Sequence, residues 1–175
     1  MLFRSAKPIR IVVPSSPGGG TDILARQIAS RLTERWGQSV FVDNRPGAGQ
    51  IIGLELTARA PADGYTVAVC ATPLAVNSAL YRKLPYDPQR DFAPITQIAA
   101  MPNLLVAHPS LPARSTQALL ALARARPGEL AYASSGIGTG PHLTMELFNF
   151  MAGVRMQHVP YKGTNPAMVD TMSGQ

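Results

Sequence analysis

The stretch that decides the fold is PIRIVVPSSPGGGTDILARQIASRL, residues 8–32. PIRIVVP (8–14) is apolar and rich in β-branched residues, which predicts a buried strand. The glycine loop PGGG follows, and apolar residues then recur at helical spacing until Gly37, where a helix C-cap is expected. A strand, a glycine loop and a helix in direct succession are typical of an α/β protein.

The same alternation continues along the first half of the chain. SVFVD (39–43) and YTVAVCA (65–71) read as strands, and QIIGLELTARA (50–60) reads as a helix. TPLAVNSALY (72–81) is predicted to be helical, with Thr72 as its N-cap and proline in the first turn. Because the strands are apolar throughout, a mainly parallel sheet covered on both faces is expected.

A Pro- and Tyr-rich connection at 84–94 is followed by two strand-like runs, and a second α/β unit is predicted after them. The expected strands are 95–100, 103–109, 130–134 and 154–161, and the expected helices are 115–128, 141–153 and 164–174. Ser115 is placed as a helix N-cap. Only two clear strands belong to the alternation of this unit, and a two-stranded sheet is marginal, so the second lobe is expected to be incomplete.

Composition narrows the function classes. The chain has 175 residues, of which 46% are hydrophobic and 15% charged, as in a globular protein. Its net charge of +6 is dispersed, which argues against a nucleic-acid partner and mildly favours small anions. No apolar run reaches the roughly 18 residues of a membrane-spanning helix. The lone Cys70 is expected to be a small buried hydrophobe.

The start of the chain does not look like a leader. MLFRSAK (1–7) is too short and too charged for the apolar core of a secretory signal. The chain is therefore expected to begin like a mature protein, or like one that has lost its leader.

The first glycine loop, defined here as residues 14–22, predicts an anion site, because a helix start offers free backbone N–H groups. It is not a nucleotide P-loop, since no lysine follows Gly20. It matches a dinucleotide fingerprint only in part, although Asp43 stands where a ribose-binding acid would be. Asp22, in the first helical turn, disfavours a highly charged phosphate. A plain tight turn remains the alternative.

A second glycine loop, SSGIGTGPH (residues 134–142), repeats the pattern with added hydroxyl groups. Two such loops, one from each lobe, could close on a carboxylate from opposite sides. Catalytic alternatives are weaker, because Ser134 and Ser135 lack the first glycine of a nucleophile elbow, and His142 is expected to hydrogen-bond the loop. The three histidines lack metal-ligand spacing, so neither a metal nor a cofactor is expected.

Several blocks of the chain together resemble the Bug family, the extracytoplasmic solute receptors of tripartite tricarboxylate transporters. They are KPIRIVVPSSPGGGTDILARQIASRL, VFVDNRPGAGQIIGLELTARAPADGYTV, NSALYRKLPYDPQRDFAPITQIA and LAYASSGIGTGPHLTMELFNFMAGVRMQHVPYKGTNPAMVDTMSGQ. The resemblance runs from about residue 7 to the C-terminus.

The resemblance implies a type II periplasmic-binding-protein fold, with two doubly wound α/β lobes around a cleft. The lobes would be 1–103 and 104–175, the first without its return segment and the second incomplete. It also implies a periplasmic receptor, not an enzyme, that delivers a small carboxylate to membrane permease subunits. The implied ligand-binding residues are Gly18, Gly19, Gly20, Thr21, Asp22, Thr72, Ser134, Ser135, Gly136, Gly138, Thr139 and His142.

The sequence also departs from the family. ATPLAVN (71–77) lacks the usual glycine and hydroxyl content, and Ser15 stands where an aromatic residue is common. Family members are longer, and they return to the first lobe. Two alternatives therefore stay open: an α/β enzyme that binds a nucleotide or uses a loop serine, and a truncated, non-functional remnant.

Overall fold

The computed structural model describes residues 7–174 as an α/β protein with two parallel sheets. A 3₁₀ turn, Ala48–Gln50, precedes the second helix. The elements in chain order are β1 (Ile9–Val13), α1 (Gly20–Trp36), β2 (Val40–Asn44), α2 (Ile51–Ala58), β3 (Thr66–Ala68), α3 (Pro73–Leu80), α4 (Thr116–Ala125), β4 (Ala131–Ser134), α5 (Gly140–Ala152), β5 (Gln157–Pro160) and α6 (Thr164–Ser173).

The first sheet has the order β2-β1-β3, with all pairs parallel. β1 is therefore its central strand, and Ile11 pairs with Val42 on one side and Val67 on the other. Val12 and Val13 are fully buried, as expected for a parallel strand that is covered on both faces. The predicted strand–helix alternation of the first half is confirmed.

Helix α1 packs on this sheet through small residues. Ala25 and Ala29 are buried in the core, whereas Ile23 and Trp36 are about half exposed. Small side chains allow the helix to lie close to the strands, so the apolar positions at helical spacing only partly mark its buried face. Gly37 ends the helix in the left-handed conformation, with its N–H donated to the Thr33 carbonyl, which confirms the predicted C-cap.

The second sheet contains β4 and β5 in parallel. Its core is a separate cluster of Ala123, Tyr132 and Met156. Tyr132 pairs in register with His158, so these two side chains are neighbours on one face of the sheet. This register brings His158 next to the start of the second glycine loop, which follows β4 directly.

The prediction of strands at 95–100 and 103–109 is wrong. Among residues 7–174, nothing between β3 and β4 is a strand, and Ile95 and Leu104 are 83% and 85% exposed. An extended run needs a neighbouring strand for its N–H and C=O groups, and these runs pair with neither sheet. β3 is also shorter than predicted, since it ends at Ala68.

One of the two predicted N-caps is wrong. Ser115 caps α4, because its hydroxyl accepts a hydrogen bond from the Ala118 N–H at 3.1 Å. Thr72 has helical dihedral angles of −40° and −40°, and its side chain makes no cap hydrogen bond. A capping residue needs an extended backbone, so Thr72 belongs to the helical turn itself.

None of the helices within residues 7–174 combines the length and the apolar character needed to cross a membrane.

Candidate functional site

The first glycine loop joins the carboxyl end of β1 to α1. The first hydrogen bond of α1 runs from the Ile23 N–H to the Gly19 carbonyl, at 3.0 Å. The amides of residues 19–22 therefore have no acceptor within the helix. The positive end of the dipole of this 17-residue helix lies at the same place, so the loop can attract an anion.

Asp22 holds this loop from inside. Its side chain is buried and accepts hydrogen bonds from the Gly18 N–H at 2.8 Å, from Arg26 at 2.9 Å and from Asn44 at 2.9 Å. Burial alone would raise the pKa of Asp22, but these hydrogen bonds and the Arg26 charge outweigh burial and lower it. The carboxylate thus organises the loop and is fully engaged within the protein.

Asp43 is engaged in a similar way. It accepts hydrogen bonds from Arg10 Nε at 2.7 Å and from Arg45 Nε at 3.1 Å. Burial would raise the pKa of Asp43, but the two guanidinium groups lower it. The acid that a dinucleotide site would use on a ribose is therefore occupied by arginines.

The second glycine loop joins the carboxyl end of β4 to α5, and it uses its own polar groups internally. Ser134 is 2% exposed, and its Oγ lies 2.7 Å from His158 Nε2 and accepts the Gly136 N–H at 3.1 Å. Thr139 Oγ1 donates to the Gly136 carbonyl at 2.6 Å. The hydroxyl of Ser134 is thus too buried to act as a nucleophile.

His142 bonds the loop, as expected, because its Nδ1 accepts the Gly138 N–H at 3.2 Å. Its ring also lies 4.2 Å from the ring of His158, a pairing that histidine spacing could not foresee. Ser135 is half-buried and makes no side-chain hydrogen bond within residues 7–174. Of the predicted hydroxyls in this loop, Ser135 is the one left for a ligand.

The start of α6 faces the first glycine loop. The N–H and Oγ of Ser16 both donate to the Lys162 carbonyl, at 3.1 Å and 2.7 Å. Asn165 Nδ2 donates to the Pro17 carbonyl at 3.2 Å, and a Cβ at Gly18 would collide with that side chain. Two helix N-termini, of α1 and α6, therefore meet here. Sequence reasoning missed this pairing, although KGTNP (162–166) repeats the signal of a glycine before a helix.

The turn at residues 47–50 and helix α3 face the second glycine loop. A Cβ at Gly138 would lie 3.1 Å from Asn77 Oδ1, and a Cβ at Gly49 would lie 3.1 Å from the Ile137 carbonyl. Asn77 is fully buried and donates to Gly49 and Tyr86, but its Oδ1 has no partner within residues 7–174. The sequence signal for this contact is RPGAG (45–49), in which two glycines follow a proline.

Every residue of this turn has a positive φ. The values for Ala48 and Gln50 are 48° and 72°, a left-handed conformation that is strained for residues with a side chain. Such strain persists only where the surroundings fix the backbone, here through Asn77 and the second glycine loop.

Residues 101–103 lie against both α1 and α5. A Cβ at Gly20 would lie 2.8 Å from the Met101 methyl group. Asn103 Nδ2 donates to Thr144 Oγ1 on α5 at 2.7 Å. Thr72 is exposed, and its Oγ1 lies 3.8 Å from the position of a Cβ at Gly140. The connecting segment thus passes beside both helix starts, and Thr72 lies beside the second.

Other features lie away from these loops. A hollow of about 210 Å³ is lined by Gly128, Arg155, Met156 and Gln157, and another lies on α1 along residues 27–34. Among residues 7–174, no group of three or more His, Cys, Asp or Glu side chains could hold a metal ion. Burial raises the pKa of the Cys70 thiol, which disfavours the reactive thiolate.

Comparisons with known proteins agree with one another. Residues 24–175 match the family described as the tripartite tricarboxylate transporter family receptor. Protein BugT of Bordetella pertussis is 43% identical over 171 residues, which are 97% of this chain and 52% of BugT. The solved structure of R. palustris Rpa4515 with adipate is 44% identical and superposes with a TM-score of 0.91, over 95% of this chain and 56% of that one.

A third protein widens the comparison. MatC from Rhodopseudomonas palustris, solved with bound malate, is 30% identical, with a TM-score of 0.90 over 97% of this chain and 58% of that one. A structure described as a periplasmic transporter superposes with a TM-score of 0.92. The predicted periplasmic-binding-protein fold is confirmed. This chain spans about half the length of the curated relatives it matches. On the family match over residues 24–175, the chain belongs to the receptor family of tripartite tricarboxylate transporters.

Proposed function

We propose that this chain contributes the carboxylate-binding half of an extracytoplasmic solute receptor, which delivers its solute to the membrane subunits of a tripartite transporter. The observation that carries the proposal is the first glycine loop, whose helix-start amides have no acceptor within α1. The family match and the adipate- and malate-bound relatives support the same solute class.

The chemistry fits a carboxylate better than a phosphate ester. A carboxylate can accept several backbone N–H bonds without a metal ion or a lysine. Asp22, buried beneath the loop with a lowered pKa, keeps a negative charge close by and so disfavours a multiply charged phosphate. The N-terminus of α6, opposite the loop, adds a second positive helix end.

In the proposed site, the N-termini of α1 and α6 and the second glycine loop surround the carboxylate. In this arrangement Gly19, Gly20 and Thr21 offer amides, and Ser135 offers a hydroxyl. Asp22, Ser134, Gly136, Gly138, Thr139 and His142 then shape the loops.

The proposal includes a division into lobes at residue 103 and a periplasmic location. The irregular course of residues 93–107 and the contacts of Met101 and Asn103 with both helix starts support a hinge there. Ligand would then favour the closed arrangement of the lobes. The periplasmic location is supported by relatives that are described as periplasmic.

Calorimetric titration of the 175-residue chain with adipate, malate and citrate tests the proposal. We expect saturable binding of at least one acid and a rise in melting temperature, because a ligand that binds only the folded state stabilises it. Dimethyl adipate, which has the same carbon chain without charge, serves as the matched ligand and is expected not to bind.

A variant locates the binding. Gly19 has a φ of −74°, and a Cβ there would make only ordinary contacts, the nearest at 3.8 Å. Gly19→Ala should therefore fold, while its methyl group crowds the amides and weakens binding about tenfold, the worth of one charge-assisted hydrogen bond. Unchanged affinity in Gly19→Ala would move the site elsewhere, and the absence of binding by all three acids would overturn the function.

A further inference from the structure

A hydrogen-bonded circuit underlies the second glycine loop. His158 Nε2 lies 2.7 Å from Ser134 Oγ, and Ser134 Oγ accepts the Gly136 N–H at 3.1 Å. The Gly136 carbonyl lies 3.2 Å from the same Oγ, so the Ser134 hydroxyl has two acceptors in reach, the imidazole and this carbonyl. A hydroxyl proton rotates freely between such acceptors.

The circuit is satisfied in both protonation states of the imidazole. When His158 Nε2 is bare, Ser134 donates to it. When Nε2 carries a proton, Nε2–H donates to Ser134, and the hydroxyl turns to the Gly136 carbonyl. The Gly136 N–H keeps its acceptor in either case. Protonation therefore reverses one hydrogen bond and leaves no donor unsatisfied in this part of the loop.

We propose that His158 couples the second glycine loop to proton uptake, so that the receptor takes up a proton with its anionic solute and binds it more tightly as pH falls. This inference rests on the function proposed above. The proton comes from solvent, and its charge remains on the imidazole while the solute is bound.

The groups packed around His158 oppose its protonation more than they favour it. Burial and the neighbouring His142 of α5 lower its pKa, while Glu146 on the same helix raises it in part. Tyr132 of β4 stacks on the ring at 4.9 Å, and its hydroxyl donates to Glu146. On α6, Asp170 is engaged by the Tyr161 hydroxyl at 2.7 Å. These surroundings together favour the neutral imidazole, and a further negative charge nearby would favour the protonated one.

A solute carboxylate bonded to the Ser135 hydroxyl, one residue along the chain from the Ser134 that bonds His158, would supply that charge. A negative charge near the ring favours its protonated form. We expect the affinity for adipate or malate to rise about threefold from pH 8.0 to pH 6.0, a range in which both acids remain largely ionised.

The experiment is calorimetric titration of the full chain with adipate and with malate at pH 8.0 and 6.0. Each titration is run in two buffers of different ionisation enthalpy, so that proton uptake is counted directly. His158→Gln can still bond Ser134 but cannot take up a proton, and its affinity should be the same at both pH values. His108→Gln removes a half-buried histidine that bonds Ser110, away from the second glycine loop, and it should keep the threefold change.

A second measurement does not depend on the variant folding. The imidazole C–H resonances of the unsubstituted chain are followed through pH with and without adipate, and the pKa of His158 should rise when adipate is bound. Binding with pH-independent affinity, or an unmoved pKa of His158, would overturn this inference and leave the receptor function intact. No binding at either pH would remove both.

Discussion

The two glycine loops begin alike and are built differently. Each follows the carboxyl end of a parallel strand and leads into a helix N-terminus. In the first, the Gly18 amide donates to the buried carboxylate of Asp22. In the second, hydrogen bonds within the loop or to His158 engage the amides of Gly136 and Gly138 and the hydroxyls of Ser134 and Thr139.

The difference shows that a glycine loop before a helix does not by itself define a binding surface. Whether such a loop can bind an anion depends on which of its backbone groups the surrounding polar side chains already hydrogen-bond. In the first loop the charged side chain of Asp22 binds the Gly18 amide. The helix-start amides of residues 19–22 take no part in that hydrogen bond. In the second loop neutral side chains fix the backbone from within. The first loop is thus the anion-facing element, and the second is the more rigid one.

Removing the charged anchor should have the largest effect. Asp22→Ala removes the acceptor of the Gly18 N–H and one of the two acceptors that Asn44 and Arg26 each have. We expect the free energy of unfolding to fall by about 3 kcal/mol, because breaking a buried charged network costs more than a neutral hydrogen bond. Urea denaturation followed by circular dichroism measures it.

Two matched variants sharpen the contrast. Ser134→Ala removes the neutral anchor of the second loop and should cost about 1–2 kcal/mol. Glu34→Ala removes an exposed partner of Arg31, at 3.6 Å, and should change stability by less than about 0.5 kcal/mol. If Asp22→Ala cost no more than Ser134→Ala, the distinction between a charged and a neutral anchor would fail.

The second effect is the contact between the first loop and α6. Gly18 and Gly64 have nearly equal φ values, 83° and 81°, but a Cβ meets the Asn165 side chain at Gly18 and nothing within 4 Å at Gly64. Alanine at either position costs about 1 kcal/mol for the left-handed backbone. Gly18→Ala should cost about a further 1 kcal/mol through the collision.

A double variant separates the two contributions. Adding Asn165→Ala to Gly18→Ala removes the obstacle and should recover the extra cost, since residues in contact do not act additively. The same urea denaturation experiment serves for all four proteins. Equal costs at Gly18 and Gly64 would mean that the loop and α6 do not press on each other in solution.

Local signals explain what the sequence predicted well. The alternation of strands and helices, the Gly37 C-cap and the Ser115 N-cap depend on neighbours within a few residues, and the structure has them. Both glycine loops were found for the same reason. The strands expected at 95–109 failed because a strand also needs a partner, which a single run of residues does not reveal.

The rest of the site depends on contacts between distant parts of the chain. The pairing of Gly18 with Asn165, 147 positions along the chain, leaves no mark in either local pattern. The Asn77 Oδ1 that has no partner within residues 7–174 and the close approach of the His142 and His158 rings are likewise set by tertiary packing. The sequence therefore predicted the two glycine loops, but neither the strained turn at residues 47–50 nor the side chains that face the loops.

The smallest expected effect is that the two loops lose stability in different ranges of pH. The pKa of His158 is lowered from its ordinary 6.5, so the unfolded chain binds the proton more readily, and stability is lost as pH falls through 6.5 towards the folded value. The lowered pKa of Asp22 contributes stability above the ordinary 3.8, which is lost only as pH falls below it. The second loop should weaken first on acidification.

Melting temperature against pH checks this order. His158→Gln should flatten the profile just below pH 6.5 and leave the steeper fall near pH 4. Asp22→Asn should do the reverse, and only in part, because Asp43 also has a lowered pKa in the same range. A profile in which Asp22→Asn changed the slope near pH 6 would contradict the assignment. It would mean that the first loop, with its charged anchor, senses protons where the second is expected to.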